Sequence, residues 1–281
     1  MENLGYYNGK YDLIENMTVP MNDRVCWFGD GVYDATCGKN KTVYLIDEHI
    51  DRFFNNCGLL DIKVPHTKAE VREILSDLIK KVDADEVFVY WQCTRGTAKR
   101  NHAYPDVPAN FWVTITPAPL KNIYDKIKLI TLEDTRFLHC NIKTLNLLPS
   151  CVATQKAVEA GCDECVFHRG PRVTECAHSN VSIIKDGKFI TAPTDHYILP
   201  GIARAHIIKA CKKLEIPVDE TIYTIDDLMN ADEIIVSSSS KFCLSACEVD
   251  GKPVGGKAPE LLEAIQHEVH REFLEYVGCA K

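Results

Sequence analysis

The stretch LHCNIKTLNLLPS (Leu138–Ser150) holds one lysine, Lys143, among Asn141, Thr144 and Asn146 and ahead of the apolar pair Leu147 and Leu148. So few charged neighbours suit either an ordinary surface amine or an amine held in a pocket for chemistry. A free lysine has a pKa of about 10.4, so nucleophilic use requires desolvation or nearby cations. A second stretch, LPGIARAHIIK (Leu199–Lys209), leads Pro200 and Gly201 straight into a helical pattern. The first amides of such a helix, those of Ile202 and Ala203, have no intrahelical acceptor and lie at the positive end of the dipole, which suits a phosphate. A glycine at that point lets the backbone approach closely. Ser237–Ser240, at the end of an apolar strand, offers hydroxyls either to that phosphate or to solvent in a polar turn. Glu175, in RVTECAHSN just past an apolar strand, is either a solvated acid or a partner for a heterocyclic nitrogen.

A pocketed lysine, a phosphate cup and a lone carboxylate together suit pyridoxal phosphate. The amine would form a Schiff base, the cup would hold the phosphate, and the carboxylate would keep the pyridine nitrogen protonated. Other motifs fail on inspection. Gly251–Lys257 spells G-x-x-x-x-G-K, but Ala258 replaces the hydroxyl residue and the stretch follows a hairpin turn. His267 and His270 miss the zincin spacing, since Arg271 stands in the second histidine's place. FGDGVYD has no G-x-G-x-x-G, which weighs against dinucleotide binding. Cys162 and Cys165 form the only C-x-x-C, with no second pair to complete a zinc site, so no metal is expected.

The elements that must position these residues follow from periodicity and turn chemistry. Asn8-Gly9, Asp186-Gly187 and Asp250-Gly251 mark hairpins. Thr67 and Glu70 form a capping box ahead of Val71, Ile74, Leu75, Leu78 and Ile79, an amphipathic helix. A helical pattern opens at Asp47, and others run over 149–160, 202–214 and 259–276. Strands are expected at 86–93, 110–116, 126–133, 163–169, 180–193 and 231–240 from their aromatic and β-branched content. Pro117 and Pro119 break both periods and mark a linker. The second half is strand-rich without a regular βαβ alternation, so the fold class is α+β.

The 281 residues allow one large domain or two ordinary ones. A net charge of −8 without a basic stripe argues against nucleic acid as a partner. Lys209, Lys212 and Lys213 read as the polar face of a helix. No apolar run is long enough to span a membrane and no N-terminal stretch reads as a signal peptide. Thirteen scattered cysteines, an odd number, are expected to be reduced, mostly as small buried hydrophobes in a cytoplasmic protein.

Seven stretches, in order, resemble the fold-type IV pyridoxal-phosphate aminotransferases, and within them the D-amino-acid aminotransferases: DRVCWFGDGVYDAT, LIDEHIDRFF, QCTRGTAKRNHAYP, CNIKTLNLLPSCVATQKAVEAG, VTECAHSNVSIIKDG, ILPGIARAHII and ADEIIVSSSS. The resemblance covers nearly the whole chain. It implies a small N-terminal α/β domain over residues 1–118, an interdomain linker at 119–123, and a larger C-terminal cofactor-binding domain over 124–281, with the cofactor at the interface. It implies that Lys143 carries the Schiff base and moves the substrate proton, and that Glu175 pairs with the pyridine nitrogen. Arg52, the amides of Ile202 and Ala203, and Ser239 would hold the phosphate, with Leu199 against the ring. Arg136 and Glu164 would orient the lysine's surroundings.

RGTAKRNH supplies Arg100 and His102, which with Tyr33 would trap the substrate α-carboxylate. An arginine fork suits a carboxylate, although an R-x-H in a loop is commonly solvent-facing. In the family these two residues come from the neighbouring subunit, so a homodimer with shared active sites is implied. The implied reaction is ping-pong: D-alanine and 2-oxoglutarate give pyruvate and D-glutamate. A branched-chain aminotransferase or an aminodeoxychorismate lyase is the alternative within the fold, and a non-catalytic cofactor-binding protein the alternative outside it. The chain departs from the family at Cys176, Ala177 and His178, where glycine and serines are usual, and at Ala203, where threonine is usual. Weaker cofactor retention, or a substrate pocket reshaped by His178, is therefore expected.

Overall fold

The structure, a computed structural model, describes residues 1–279. It divides into two compact units: Met1–Leu120 with Ile142–Asn146 and the stretch from Leu274, and Lys121–Asn141 with Leu147–Phe273. Among the described residues no helix is long and apolar enough to cross a membrane.

The first unit contains β1 (Leu4–Tyr7), β2 (Lys10–Asp12), α1 (Arg24–Phe28), β3 (Gly31–Lys39), β4 (Thr42–Val43), α2 (Ile46–Leu59), α3 (Lys68–Lys81), β5 (Glu86–Thr94) and β6 (Asn110–Pro117). The strands form one antiparallel sheet in the order β2-β1-β6-β5-β3-β4. In β5, Val87, Val89, Trp91 and Cys93 are buried, as strand alternation requires of the face that meets α2 and α3. Phe53 of α2 meets Trp91 and Phe111 edge-on, at 6.2 and 6.1 Å between ring centroids. Each such buried ring contributes roughly 2 kcal/mol by area alone. The capping box holds in both directions: Thr67 accepts from the Glu70 amide, and Glu70 accepts from the Thr67 amide.

The segment around Lys143 belongs to this unit because it completes β3. The start of β3 has β5 on one side only; on the other, the Tyr33 amide donates to Lys143 O (3.0 Å) and the Leu145 amide to Gly31 O (3.1 Å). Ile142–Asn146 and the stretch from Leu274 therefore group with residues 1–120. That last stretch is tied to the first unit by Asn40 Nδ2 on Val277 O (3.1 Å) and by the Ile46 amide on the Tyr276 hydroxyl (3.3 Å).

The second unit contains β7 (Lys126–Glu133), α4 (Leu148–Glu159), β8 (Glu164–Arg169), β9 (Arg172–Cys176), β10 (Asn180–Lys185), β11 (Lys188–Thr191), α5 (Ile202–Lys213), β12 (Val218–Glu220), α6 (Ile225–Met229), β13 (Glu233–Ser237), β14 (Leu244–Val249) and β15 (Lys252–Pro253), followed by α7 (Pro259–Tyr276), whose last turn passes to the first unit. Its nine-stranded mixed sheet runs β12-β11-β10-β13-β14-β7-β8-β9, with β15 on β14. Parallel pairing is confined to β11–β12, β14–β7 and β7–β8. β10 and β13 are buried along almost every residue, as strands covered on both faces must be. The basic face of α5 pairs with acids of α7, Lys209 with Glu272 and Lys213 with Glu268. Seven of the thirteen cysteines are buried, and all are free thiols.

Candidate active site

The lysine group lies in the first unit. Alternation along β3 puts Val32, Asp34 and Thr36 on the buried side and Tyr33 on the other. Asp34, fully buried, accepts from Arg52 Nε (2.9 Å) at Oδ2, and from Arg52 Nη2 (2.7 Å) and His49 Nδ1 (2.7 Å) at Oδ1. His49 and Arg52 reach it together because positions three apart share one face of α2. Burial alone would raise the Asp34 carboxyl, but the Arg52 charge, with the hydrogen bonds from His49 and Arg52, outweighs it and holds the group well below the usual range. Burial also lowers His49, which Asp34 offsets only in part, so the imidazole is neutral near pH 7 and donates through Nδ1.

Lys143 is half-buried, with Nζ 4.3 Å from the centre of the Tyr33 ring. Tyr33 stacks on Tyr90 at 5.3 Å, and the Tyr90 hydroxyl donates to Gln92 Oε1 at 2.6 Å. Asn146 Nδ2 donates to Gly29 O (3.1 Å), so that polar neighbour fixes the loop's course along β3. Arg100 and His102 are exposed on the connection between β5 and β6, both against the Phe28 ring at 5.2 and 5.1 Å.

The carboxylate group lies in the second unit. Glu175 is buried inside β9, not past the end of a strand: the chain turns at Gly170 and RVTEC returns antiparallel to β8. Its Oε1 accepts from Arg136 Nη1 (2.5 Å), and its Oε2 from Asn180 Nδ2 (3.0 Å) and the Leu199 amide (3.0 Å). Three donors, one of them charged, offset the cost of burying this charge. Asp134 holds Arg136 in turn, accepting from Nε at Oδ1 and Nη2 at Oδ2, both at 3.0 Å. Burial would raise Asp134, but the Arg136 hydrogen bond and charge keep it lowered. Burial would lower Arg136, and the neighbouring Glu175 and Asp134 charges more than reverse that.

Asn180 also donates to Leu199 O (3.0 Å), and it pairs with Ser237 across β10 and β13. It explains Gly201: a Cβ there would stand 1.9 Å from Asn180 Oδ1. The close approach that glycine permits is thus to Asn180. Gly201 is the N-cap of α5 and offers no side chain to the first turn, so the Ile202 and Ala203 amides suit an anionic group such as a phosphate. Ser239 lies in the turn after β13, where the Lys241 and Phe242 amides both donate to Ser238 O. Glu164, fully buried, accepts at Oε2 from His178 Nδ1 (2.9 Å), Ser179 Oγ (3.1 Å) and Lys241 Nζ (3.1 Å). Burial would raise Glu164, but the His178 hydrogen bond and the His178 and Lys241 charges leave it lowered.

The structure therefore brings Tyr33 to Lys143 in one unit, and Arg136 and Leu199 to Glu175 in the other, beside the start of α5. Sequence reasoning missed Asp34, His49, Asp134 and Asn180. A signal existed for Asp34, a charged residue in phase with Val32 and Thr36 on a strand's buried face.

The family model for amino-transferase class IV matches residues 31–249. A D-alanine aminotransferase of Listeria monocytogenes is 38% identical over 274 residues, 95% of this chain and 93% of the relative. One from Staphylococcus aureus is 35% identical over 266 residues, 93% and 94% of the two chains. Among solved structures, a branched-chain aminotransferase of Thermoproteus uzoniensis superposes with a TM-score of 0.88 at 18% identity, covering 99% of this chain and 96% of the other. The branched-chain amino acid aminotransferase of Escherichia coli gives 0.88 at 22%, covering 100% and 97%. These two show the fold, an α+β fold of the class IV type.

Proposed function

The chain belongs to the amino-transferase class IV family, and from that premise we propose that it moves an amino group from a D-amino acid to a 2-keto acid with pyridoxal phosphate as cofactor. D-alanine and 2-oxoglutarate are the proposed pair, giving pyruvate and D-glutamate. The observation that carries the reading is the 38% identity to a D-alanine aminotransferase over 95% of the chain.

The donor sets of the two units fit the cofactor: an uncapped helix start for its phosphate, and a carboxylate held charged by an arginine for its ring nitrogen. When bound, pyridoxal phosphate supplies an aldehyde that takes up the amino group and a ring that draws electrons from the carbon bearing it. Lys143 Nζ removes the proton from the substrate Cα and returns a proton during the transfer. Glu175 keeps the proton on the ring nitrogen, with Arg136 and Asn180 fixing its two oxygens. The Ile202 and Ala203 amides, Arg52 and Ser239 would hold the phosphate, and Leu199 would offer its apolar side chain to the ring. Arg100, His102 and Tyr33 bind the α-carboxylate and so set which face of Cα meets the lysine. Ala203 brings no hydroxyl to the phosphate, so cofactor loss on dialysis is expected; a holoenzyme intact after days in cofactor-free buffer would contradict that.

Arg100 and His102 act on the neighbouring subunit of a homodimer in this reading, and the free cysteines suit a reducing cytoplasm. Mixing Lys143→Ala with Arg100→Ala chains would then restore about a quarter of wild-type activity, since mixed dimers keep one intact site; no recovery would show that the sites are not shared. A coupled assay tests the reaction itself. D-alanine with 2-oxoglutarate should yield pyruvate and L-leucine should give no turnover; no turnover with any D-amino acid would sink the reading.

A further inference from the structure

FGDGVYD, which fits no nucleotide fingerprint, ends α1 and opens β3, and the residues around it are tied down far more than an exposed hairpin needs. Asp23 caps α1 by accepting from the Val25 amide (2.8 Å) and also accepts from Thr94 Oγ1 (2.9 Å) and Asn110 Nδ2 (2.7 Å). The Arg24 amide donates to Gly96 O and the Ala98 amide to Asn22 O, both at 3.0 Å. Arg24 itself is only 3% exposed, although it carries a full charge. Its Nε donates to Asp30 (2.7 Å), and its other nitrogens fan onto three carbonyl oxygens: Asn101 (2.5 Å), Ala103 (3.3 Å) and His102 (3.5 Å). Asp30 also accepts from Arg95 Nε (2.9 Å), and the Arg95 guanidinium lies 3.4 Å over the Tyr104 ring.

The backbone of residues 101–103 is thus held from below by Arg24, while the side chains of Arg100 and His102 remain exposed against the Phe28 ring. Arg24 lies on the same ring, at 4.9 Å. An exposed polar connection is ordinarily mobile. A guanidinium presents its donors in a fixed fork, which a lysine cannot imitate. We propose that Arg24 and Phe28 are positioning residues that fix the Arg100–His102 segment in the orientation that meets a substrate carboxylate. This rests on the assignment of Arg100 and His102 as the carboxylate trap.

Two variants of the holoenzyme test it against Arg100→Ala. Arg24→Lys keeps the charge beside Asp30 but loses the fan of carbonyl bonds; Phe28→Leu keeps the fan but removes the shared ring. Each should raise KM for D-alanine about tenfold with kcat changed less than about threefold. The inhibition constant of propanoate, a carboxylate without an amino group, should rise in parallel, a shift that a merely structural role would not produce. The visible cofactor band should persist. If Arg24→Lys does not fold, Phe28→Leu decides alone. If Arg100→Ala raises KM while the foldable positioning variants leave both constants unchanged, the inference is overturned. If Arg100→Ala itself leaves KM unchanged, the trap assignment fails first, and the inference falls with its premise.

Discussion

Two buried aspartates, one in each unit, grip an arginine, and the two grips end with opposite polarity. Asp34 takes Nε and Nη2 of Arg52 and is braced by a neutral His49, so a carboxylate fixes a cation. Asp134 takes Nε and Nη2 of Arg136 but leaves Nη1 to reach Glu175, so a cation fixes a second carboxylate. Arg169 and Thr174 also donate to Asp134. In the proposed function, the same Asp–Arg pairing would prepare one unit for an anion and the other for a proton-bearing nitrogen. A side chain's role is set by what its partner leaves available.

The largest expected effect lies outside both grips and sets the scale. Lys143→Ala should lower turnover at least about 10³-fold and abolish the visible cofactor band, because it removes both the amine and the base. Retention of that band would contradict the lysine's role.

Asp34→Asn and Asp134→Asn should separate the two grips. Asp34→Asn takes a carboxylate partner from Arg52, a loss of up to about 3–5 kcal/mol, whereas Arg136 keeps Glu175 after Asp134→Asn, so the loss there should be smaller. Asp34→Asn should raise the cofactor dissociation constant while turnover at saturating cofactor changes little. Asp134→Asn should lower saturated turnover about tenfold with a smaller change in cofactor affinity. The reverse pattern, by titration and steady-state kinetics, would break the comparison.

Gly201→Ala perturbs only the second group. Its Cβ would meet Asn180 Oδ1, and overpacking of this kind costs about 1–3 kcal/mol. A lower thermal midpoint is expected, with weaker cofactor binding as Asn180 shifts from Glu175. An unchanged midpoint would mean that Asn180 has room to move.

The smallest effect comes from a half-buried carboxylate of α7 that faces α5, Glu272, which contrasts with both grips. The His206 hydrogen bond, opposed by burial and helped by Lys209, holds Glu272 down at about 2. A carboxyl lowered in the folded state adds stability above its ordinary 4.5 and loses it as pH falls toward about 2. Partial exposure limits this to about 1 kcal/mol. Thermal melts should show wild type ahead of Glu272→Gln at pH 7 and the gap closing through that acid window; a gap constant with pH would refute the pairing.

Much of the scaffold was legible where a local rule decides it. The Asn8-Gly9, Asp186-Gly187 and Asp250-Gly251 turns adopt the positive φ that their residues favour, and Thr67 with Glu70 caps α3 as its spacing requires. β3 escaped notice because GVYDATCGK interrupts its apolar alternation with Asp34 and Gly38, and α1 is too short to show a helical period. From its neighbours alone, Lys143 stood out as an isolated amine; the resemblance gave it a Schiff base. Its place along β3, and the Asp134–Arg136–Glu175 chain, depend on contacts between residues far apart in sequence, which no local pattern encodes.

The most direct measurement is a half-reaction: holoenzyme, an excess of one amino acid, no keto acid, and pyruvate counted per subunit. D-alanine should release about one pyruvate per cofactor-bearing subunit and bleach the visible band, since the amino group stays on the enzyme. L-alanine with wild type, and D-alanine with Lys143→Ala, should release none. Equal yields from the two alanines, or a stoichiometric yield from Lys143→Ala, would contradict transamination of D-amino acids through Lys143.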